Sequence, residues 1–114
     1  MYRVLWLFVY DVTNLETFEN LKHWTQSIKI NMGRDIDKIC AIIIGNKIDS
    51  NEREVKKEDA EEYSKDLNYP YFETSAKTGE NVDETIKFLV KNVLKKIVYI
   101  IHKKVILKII VKII

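Results

Sequence analysis

At 114 residues, 46% hydrophobic and 32% charged, the chain has the length and balance of one ordinary globular domain, which excludes a fibrous or disordered polypeptide. Its formal charge of +2 conceals a split: residues 95–114 hold six lysines and no acid, so residues 1–94 carry 13 of the 19 basic residues against all 17 acidic ones. Such a mildly acidic body lacks the clustered basic face of a nucleic-acid binder, and a single cysteine excludes an internal disulfide.

The first expected element is a strand over Val4–Tyr10. The apolar run there ends at Asp11 without the small-residue cleavage site of a signal peptide. Thr13-Asn14-Leu15-Glu16 has the spacing of a capping box and opens a helix whose apolar Leu15, Phe18, Leu21 and Ile28 share one face, with Trp24 at its edge. A polar connection containing Gly33 leads to a second strand, Ile39–Ile44, apolar at nearly every position as a strand covered on both faces should be. Cys40 within it reads as a buried thiol of a reducing compartment. Glu54–Leu67 reads as a second helix with Val55, Tyr63 and Leu67 inward, and Tyr71–Glu73 as a short third strand. Asn81 then caps a third helix that turns Val82, Ile86, Leu89, Val90 and Val93 inward, with Asp83 and Glu84 favoured in its first turn by the helix dipole. The order β-α-β-α-β-α implies an α/β fold of three parallel strands alternating with three helices through right-handed crossovers.

Two short segments carry chemistry. Asn46-Lys47-Ile48-Asp49 directly follows the second strand, and Ser75-Ala76-Lys77 closely follows the third, so both fall where ligands bind in open α/β sheets, beyond the carboxyl ends of the strands. Guanine offers donors at N1 and at its exocyclic N2, and an ionised carboxylate, being acceptor-only, takes both at once; Asp49 is therefore the expected specificity residue. Adenine presents an acceptor at N1 and would leave that charge unpaired, costing roughly 1–3 kcal/mol. Asn46 is placed to supply an amide donor to the purine edge and to tie neighbouring loops together. The stem of Lys47 is expected along the base plane with its ammonium in water. Ser75 and Ala76 are expected to turn backbone N–H groups toward the guanine carbonyl oxygen, and Lys77 completes the motif.

With these motifs in order, residues 9 to about 94 resemble the C-terminal half of a Ras-superfamily small GTPase of the Rab branch. The resemblance rests on Val9-Tyr10-Asp11-Val12-Thr13, Thr17-Phe18-Glu19-Asn20-Leu21 with Trp24, Gly45-Asn46-Lys47-Ile48-Asp49, and Tyr69-Pro70-Tyr71-Phe72-Glu73-Thr74-Ser75-Ala76-Lys77. The last phrase, with Asn81-Val82, looks most like late-endosomal Rabs. The resemblance implies a partial P-loop NTPase fold of Ras type, with the N-terminal half of the domain missing from residues 1–94. It further implies GTP or GDP as ligand, Mg²⁺ as the family's metal, and Rab effectors and regulators as partners. The implied role is vesicle-mediated membrane trafficking at the cytosolic face of endosomal or other vesicles.

These 114 residues depart from the family in a definite way. They contain no G-x-x-x-x-G-K-[ST], whose amides cradle phosphates, and no Asp-x-x-Gly: the residues three before Gly33, Gly45 and Gly79 are Ile30, Ile42 and Ala76. No catalytic residue and no metal ligand is therefore assigned, intrinsic hydrolysis by these residues alone is not expected, and nucleotide binding should be weak. The first strand should also present an open apolar edge. Residues 95–114, rich in Ile, Lys and Val, form a tail of different composition that ends without a prenylation cysteine. As a helix it would align Lys104, Lys108 and Lys112 in a stripe suited to peripheral contact with an anionic membrane; lysines interrupt it too often for a span; translated non-coding sequence is the third reading. Two other functional classes stay open, a non-catalytic interaction module or decoy for Rab partners and a truncated gene model without independent function.

Overall fold

The computed structural model describes residues 2–34, 39–89, 91 and 106–113, with residues 2–5, 39–40 and 106–113 described as backbone. Strand β1 (Tyr2–Asp11), helix α1 (Leu15–Met32), strand β2 (Ile39–Asn46), helix α2 (Lys57–Leu67), strand β3 (Tyr71–Glu73) and helix α3 (Val82–Phe88) follow in the expected alternation. A further strand, β4 (Ile106–Ile113), comes from the tail. The sheet has the order β3-β2-β1-β4 with every pairing parallel.

Alternation along β1 and β2 divides the sheet into two faces. Phe8 and Tyr10 join Ala41 and Ile43 beneath α1 and α2, where Phe18, Leu21, Ile28, Val55 and Ala60 complete one buried cluster. Tyr10 meets the Phe18 ring at 5.1 Å, and Phe18 meets Tyr63 edge-on at 5.9 Å. On the opposite face Ile42 is buried against Leu7, Ile44, Phe72, Phe88 and Leu89, all half-buried.

Local chemistry moves several expected boundaries. The N-cap of α1 is Asn14, whose side chain accepts from the Glu16 N–H at 3.0 Å; Thr13 instead bonds Asp11 through both its N–H and its hydroxyl. Leu15 is 47% exposed rather than inward, because the first turn of α1 lies at the rim where β1 has just ended. The inner stripe is Phe18, Leu21, Thr25 and Ile28, and the Thr25 hydroxyl meets that of Tyr63 at 2.6 Å. Helix α2 begins at Lys57, not Glu54: the Glu54 and Val55 N–H groups both bond the Val12 carbonyl, which holds Val55 buried in an extended segment ahead of the helix. Asn81 occupies the N-cap position of α3 in the left-handed region at φ 62°, but its side chain makes no cap hydrogen bond; its Nδ2 donates to the Glu73 carbonyl instead. Ile86 is 51% exposed because Thr85, Phe88 and Leu89 form the covered side of that short helix. Val90 and Val93 lie outside the described residues, as does the side chain of Cys40.

The amphipathic-helix reading of the tail is overturned over residues 106–113. These pair with β1 from Tyr2↔Ile106 to Val9↔Ile113, and the expected open edge of β1 is thereby covered. The β-branched residues that dominate the segment favour extended backbone, and β1 offers the unpaired amides that such a segment needs. Lys104 lies outside the described residues. Among the described residues, no helix is long and apolar enough to cross a membrane.

Candidate functional site

The parallel register sets Asp11 beside Asn46 at the carboxyl rim of the sheet, and β3 delivers Thr74 to the same rim one strand away. Two loops, residues 47–55 and 74–80, meet there. The Thr74 N–H donates to the Gly45 carbonyl at 2.8 Å, and the Ile48 N–H donates back to the Thr74 carbonyl at 3.3 Å. Between the loops opens a cleft of about 450 Å³ lined by Thr13, Asn46, Lys47, Asp49, Ser50, Glu52, Ala76 and Lys77.

Asn46 ties the loops together through Oδ1, which accepts from the Ala76 N–H at 3.1 Å and the Thr74 hydroxyl at 3.4 Å. That assignment leaves Nδ2 as the group able to donate outward. Asp49 is exposed at the cleft, and its Oδ1 accepts from the Ser75 hydroxyl at 2.7 Å. The Ser75 hydrogen bond, aided by the charges of Lys77 and Lys47, outweighs burial and holds the Asp49 carboxyl below the usual carboxylate range, so it is ionised at neutral pH. Ser75 itself is fully buried beneath the cleft, where its Oγ also accepts from the Thr78 N–H. It acts on Asp49 from below instead of facing the cleft.

Two expected roles change. The Lys47 ammonium is not simply in water: it pairs with Asp11 at 2.8 Å, while Lys47 holds a left-handed φ of 69°. Burial would raise the Asp11 carboxyl, but bonds from Lys47 and Thr13 hold it below its ordinary range. The backbone donors of Ser75 and Ala76 are also both engaged within the protein, with the Glu80 carbonyl and Asn46 Oδ1 respectively. A carbonyl oxygen entering the cleft would have to displace the Ala76–Asn46 bond, the longer and more exposed of the two. Sequence reasoning passed over Thr13, Ser50 and Glu52 as lining residues and Asp11 as the anchor of Lys47. An acid at the end of the first strand, followed two residues later by threonine, was the available signal for Asp11 and Thr13; Ser50 and Glu52 sit in a polar loop that offers none.

Residues 3–95 match the family model described as the Ras family. Among curated proteins, the chain is 46% identical over 78 residues to the Ras-related protein Rab-26 of Bos taurus, covering 68% of this chain and 29% of that protein. It is 37% identical over 91 residues to the Ras-related protein Rab-13 of Bos taurus, covering 79% of this chain and 43% of that one. With the Ras-related protein Rab-8B of Homo sapiens it shares 36% over 92 residues, covering 80% and 43%. The chain thus spans less than half the length of these relatives.

Proposed function

The chain belongs to the Ras family, as a small GTPase with Rab relatives, and from that premise we propose that its cleft recognises guanine, so that residues 1–94 carry the base-recognition half of a Rab-type nucleotide site. The observation that supports this most is the placement of Asp49: an ionised carboxylate pinned by Ser75, open to a cleft whose walls are Asn46, Lys47, Ala76 and Lys77. The N1–H and N2–H donors of guanine match that acceptor, and Asn46 Nδ2 is free to meet an acceptor on the purine edge.

Phosphate recognition is a different matter. Residues 1–114 contain neither the glycine-rich phosphate loop nor Asp-x-x-Gly, so transition-state charge at a γ-phosphate would meet no donor set encoded here, and hydrolysis is not assigned to these residues. No Mg²⁺ ligand is assigned: among the described residues no three His, Cys, Asp or Glu side chains cluster as a metal site would need. Base contacts alone correspond to a dissociation constant near the millimolar range, about −4 kcal/mol. The family role that goes with this reading is vesicle trafficking on the cytosolic face of a membrane, with Rab effectors and regulators as partners.

Calorimetric titration of the 114-residue chain with guanosine, GDP and adenosine tests the reading. Weak, guanine-selective binding that is insensitive to Mg²⁺ and lost in Asp49→Asn is expected. Equal affinity for adenosine, or an Asp49→Asn variant that keeps its selectivity, would overturn it. A second reading is an interaction module acting through α1, on which Leu15, Trp24 and Ile30 are exposed at separate positions. It expects competition with a full-length Rab for its effector, diminished in Trp24→Ala.

A further inference from the structure

Beneath the cleft runs a chain of side-chain hydrogen bonds that contributes no lining residue. The Arg53 guanidinium grips Glu73 in a bidentate pair, Nη1 to Oε1 at 3.0 Å and Nη2 to Oε2, while its Nε donates to the Val55 carbonyl at 2.6 Å. The Tyr71 hydroxyl donates to Glu73 Oε2 at 2.7 Å and lies 2.5 Å from the Tyr10 hydroxyl. A hydroxyl has one proton and a carboxylate has none, so the Tyr71 proton goes to Glu73 and Tyr10 donates to Tyr71. The two rings stack with centroids 6.4 Å apart. A Cβ at Gly45 would meet the Tyr71 hydroxyl at 2.6 Å and the Tyr10 hydroxyl at 2.9 Å, so both hydroxyls rest on the backbone of that glycine.

The segments joined by this chain, and the glycine it rests on, lead into the cleft. Tyr10 precedes Asp11, the anchor of Lys47; Gly45 precedes Asn46; Glu73 leads through Thr74 into Ser75 and Ala76; Arg53 follows Glu52. The backbone segments that build the cleft are therefore fastened to one another within about three residues of its lining. Burial and charge favour the arrangement as drawn: burial alone would raise the Glu73 carboxyl, yet Arg53 and Tyr71 hold it below its ordinary range, and burial keeps both tyrosines protonated. We propose that Tyr10, Tyr71, Glu73 and Arg53 are positioning residues for guanine selectivity: they fix the distance between the Asp49 loop and the Ser75–Ala76 loop without touching the base. This rests on the guanine reading of the cleft.

The test compares guanosine with inosine, which lacks the N2 amine that Asp49 is expected to bind. A group that only stabilises the fold changes the folded fraction and leaves the ratio of the two affinities unaltered; a group that sets the reach of Asp49 changes the ratio. Calorimetry on Tyr71→Phe and on Arg53→Lys, with circular dichroism to establish folding, should show the guanosine-to-inosine ratio falling several-fold toward unity. Tyr10→Phe, which removes only the terminal hydroxyl, should lower it less and serves as the second variant if either of the others does not fold. Folded variants that keep the ratio of the unsubstituted chain would overturn the positioning role while leaving the guanine reading intact. Failure of the unsubstituted chain to prefer guanosine over adenosine would overturn both.

Discussion

Among the described residues, the two faces of the sheet are unequally buried. Beneath α1 and α2, ten buried residues from both strands, both helices and the loops between them form one cluster, and the aromatic rings of Phe8, Tyr10 and Phe18 fill it. On the α3 side the described core has one fully buried residue, Ile42, ringed by half-buried neighbours that include Phe88 and Leu89. Hydrophobic stabilisation follows area removed from water, so the first face carries most of the folding energy of the described residues. The cleft lies at the rim, served from the stronger face through Tyr10 and Tyr71, which makes its geometry depend on that face.

Substituting adjacent strand residues that point to opposite faces should expose this inequality most sharply. Phe8→Ala is expected to destabilise by about 3–5 kcal/mol in urea titration, enough to unfold a marginal domain, whereas Leu7→Ala, one residue away but half-buried, should lose about 1–2 kcal/mol. Comparable losses at the two positions would break the comparison. Removing residues 105–114 should act on neither face but on the edge: β1 loses one of its two parallel partners, and concentration-dependent self-association should appear in analytical ultracentrifugation. A monomeric truncated chain of unchanged stability would show that β4 contributes little to the sheet.

The mildest probe is pH. Burial raises the Tyr10 hydroxyl from 10.0 to about 12, so the folded state keeps this proton more tightly than the unfolded chain. Its contribution is complete below pH 10 and is lost as pH rises toward 12. Glu73 works with the opposite sign: its folded value is lowered, so its contribution is present above the ordinary 4.5 and disappears as pH falls through the folded value. Thermal melts across pH should therefore weaken at both extremes, and Tyr10→Phe should remove the Tyr10 part of the alkaline limb. An unchanged alkaline limb in that variant would show that Tyr10 does not titrate as its burial requires.

How much of this was legible in the sequence depended on the range of the interactions. Val4–Tyr10 and Ile39–Ile44 were readable as strands because their apolar runs are local, and Asn46, Lys47, Asp49, Ala76 and Lys77 were readable as cleft residues because each motif directly follows a strand. The start of α2 was misplaced because the Val12 carbonyl, more than forty residues earlier, captures the N–H groups of Glu54 and Val55. A helix was among the readings of the tail because lysines every four residues mimic helical spacing, while the partner that makes residues 106–113 a strand lies a hundred residues away in β1. Ser75 was placed in the cleft although it works from below, and the Tyr10–Tyr71 contact spans 61 positions and leaves no local trace. The Ala76 donor looked free because its acceptor, Asn46, lies thirty positions away, and the Ser75 donor because the turn that brings the Glu80 carbonyl back to it has no local signature.

Parallel pairing of β4 with β1 carries a practical corollary. Because Val9 pairs with Ile113, anything appended after that strand would emerge at the carboxyl rim of the sheet, the rim that carries the cleft, whereas anything joined ahead of Tyr2 would approach from the far end of a ten-residue strand, roughly 30 Å away. Affinity handles, fluorophores and surface tethers for this polypeptide belong at its amino end, where they cannot obstruct entry of a base.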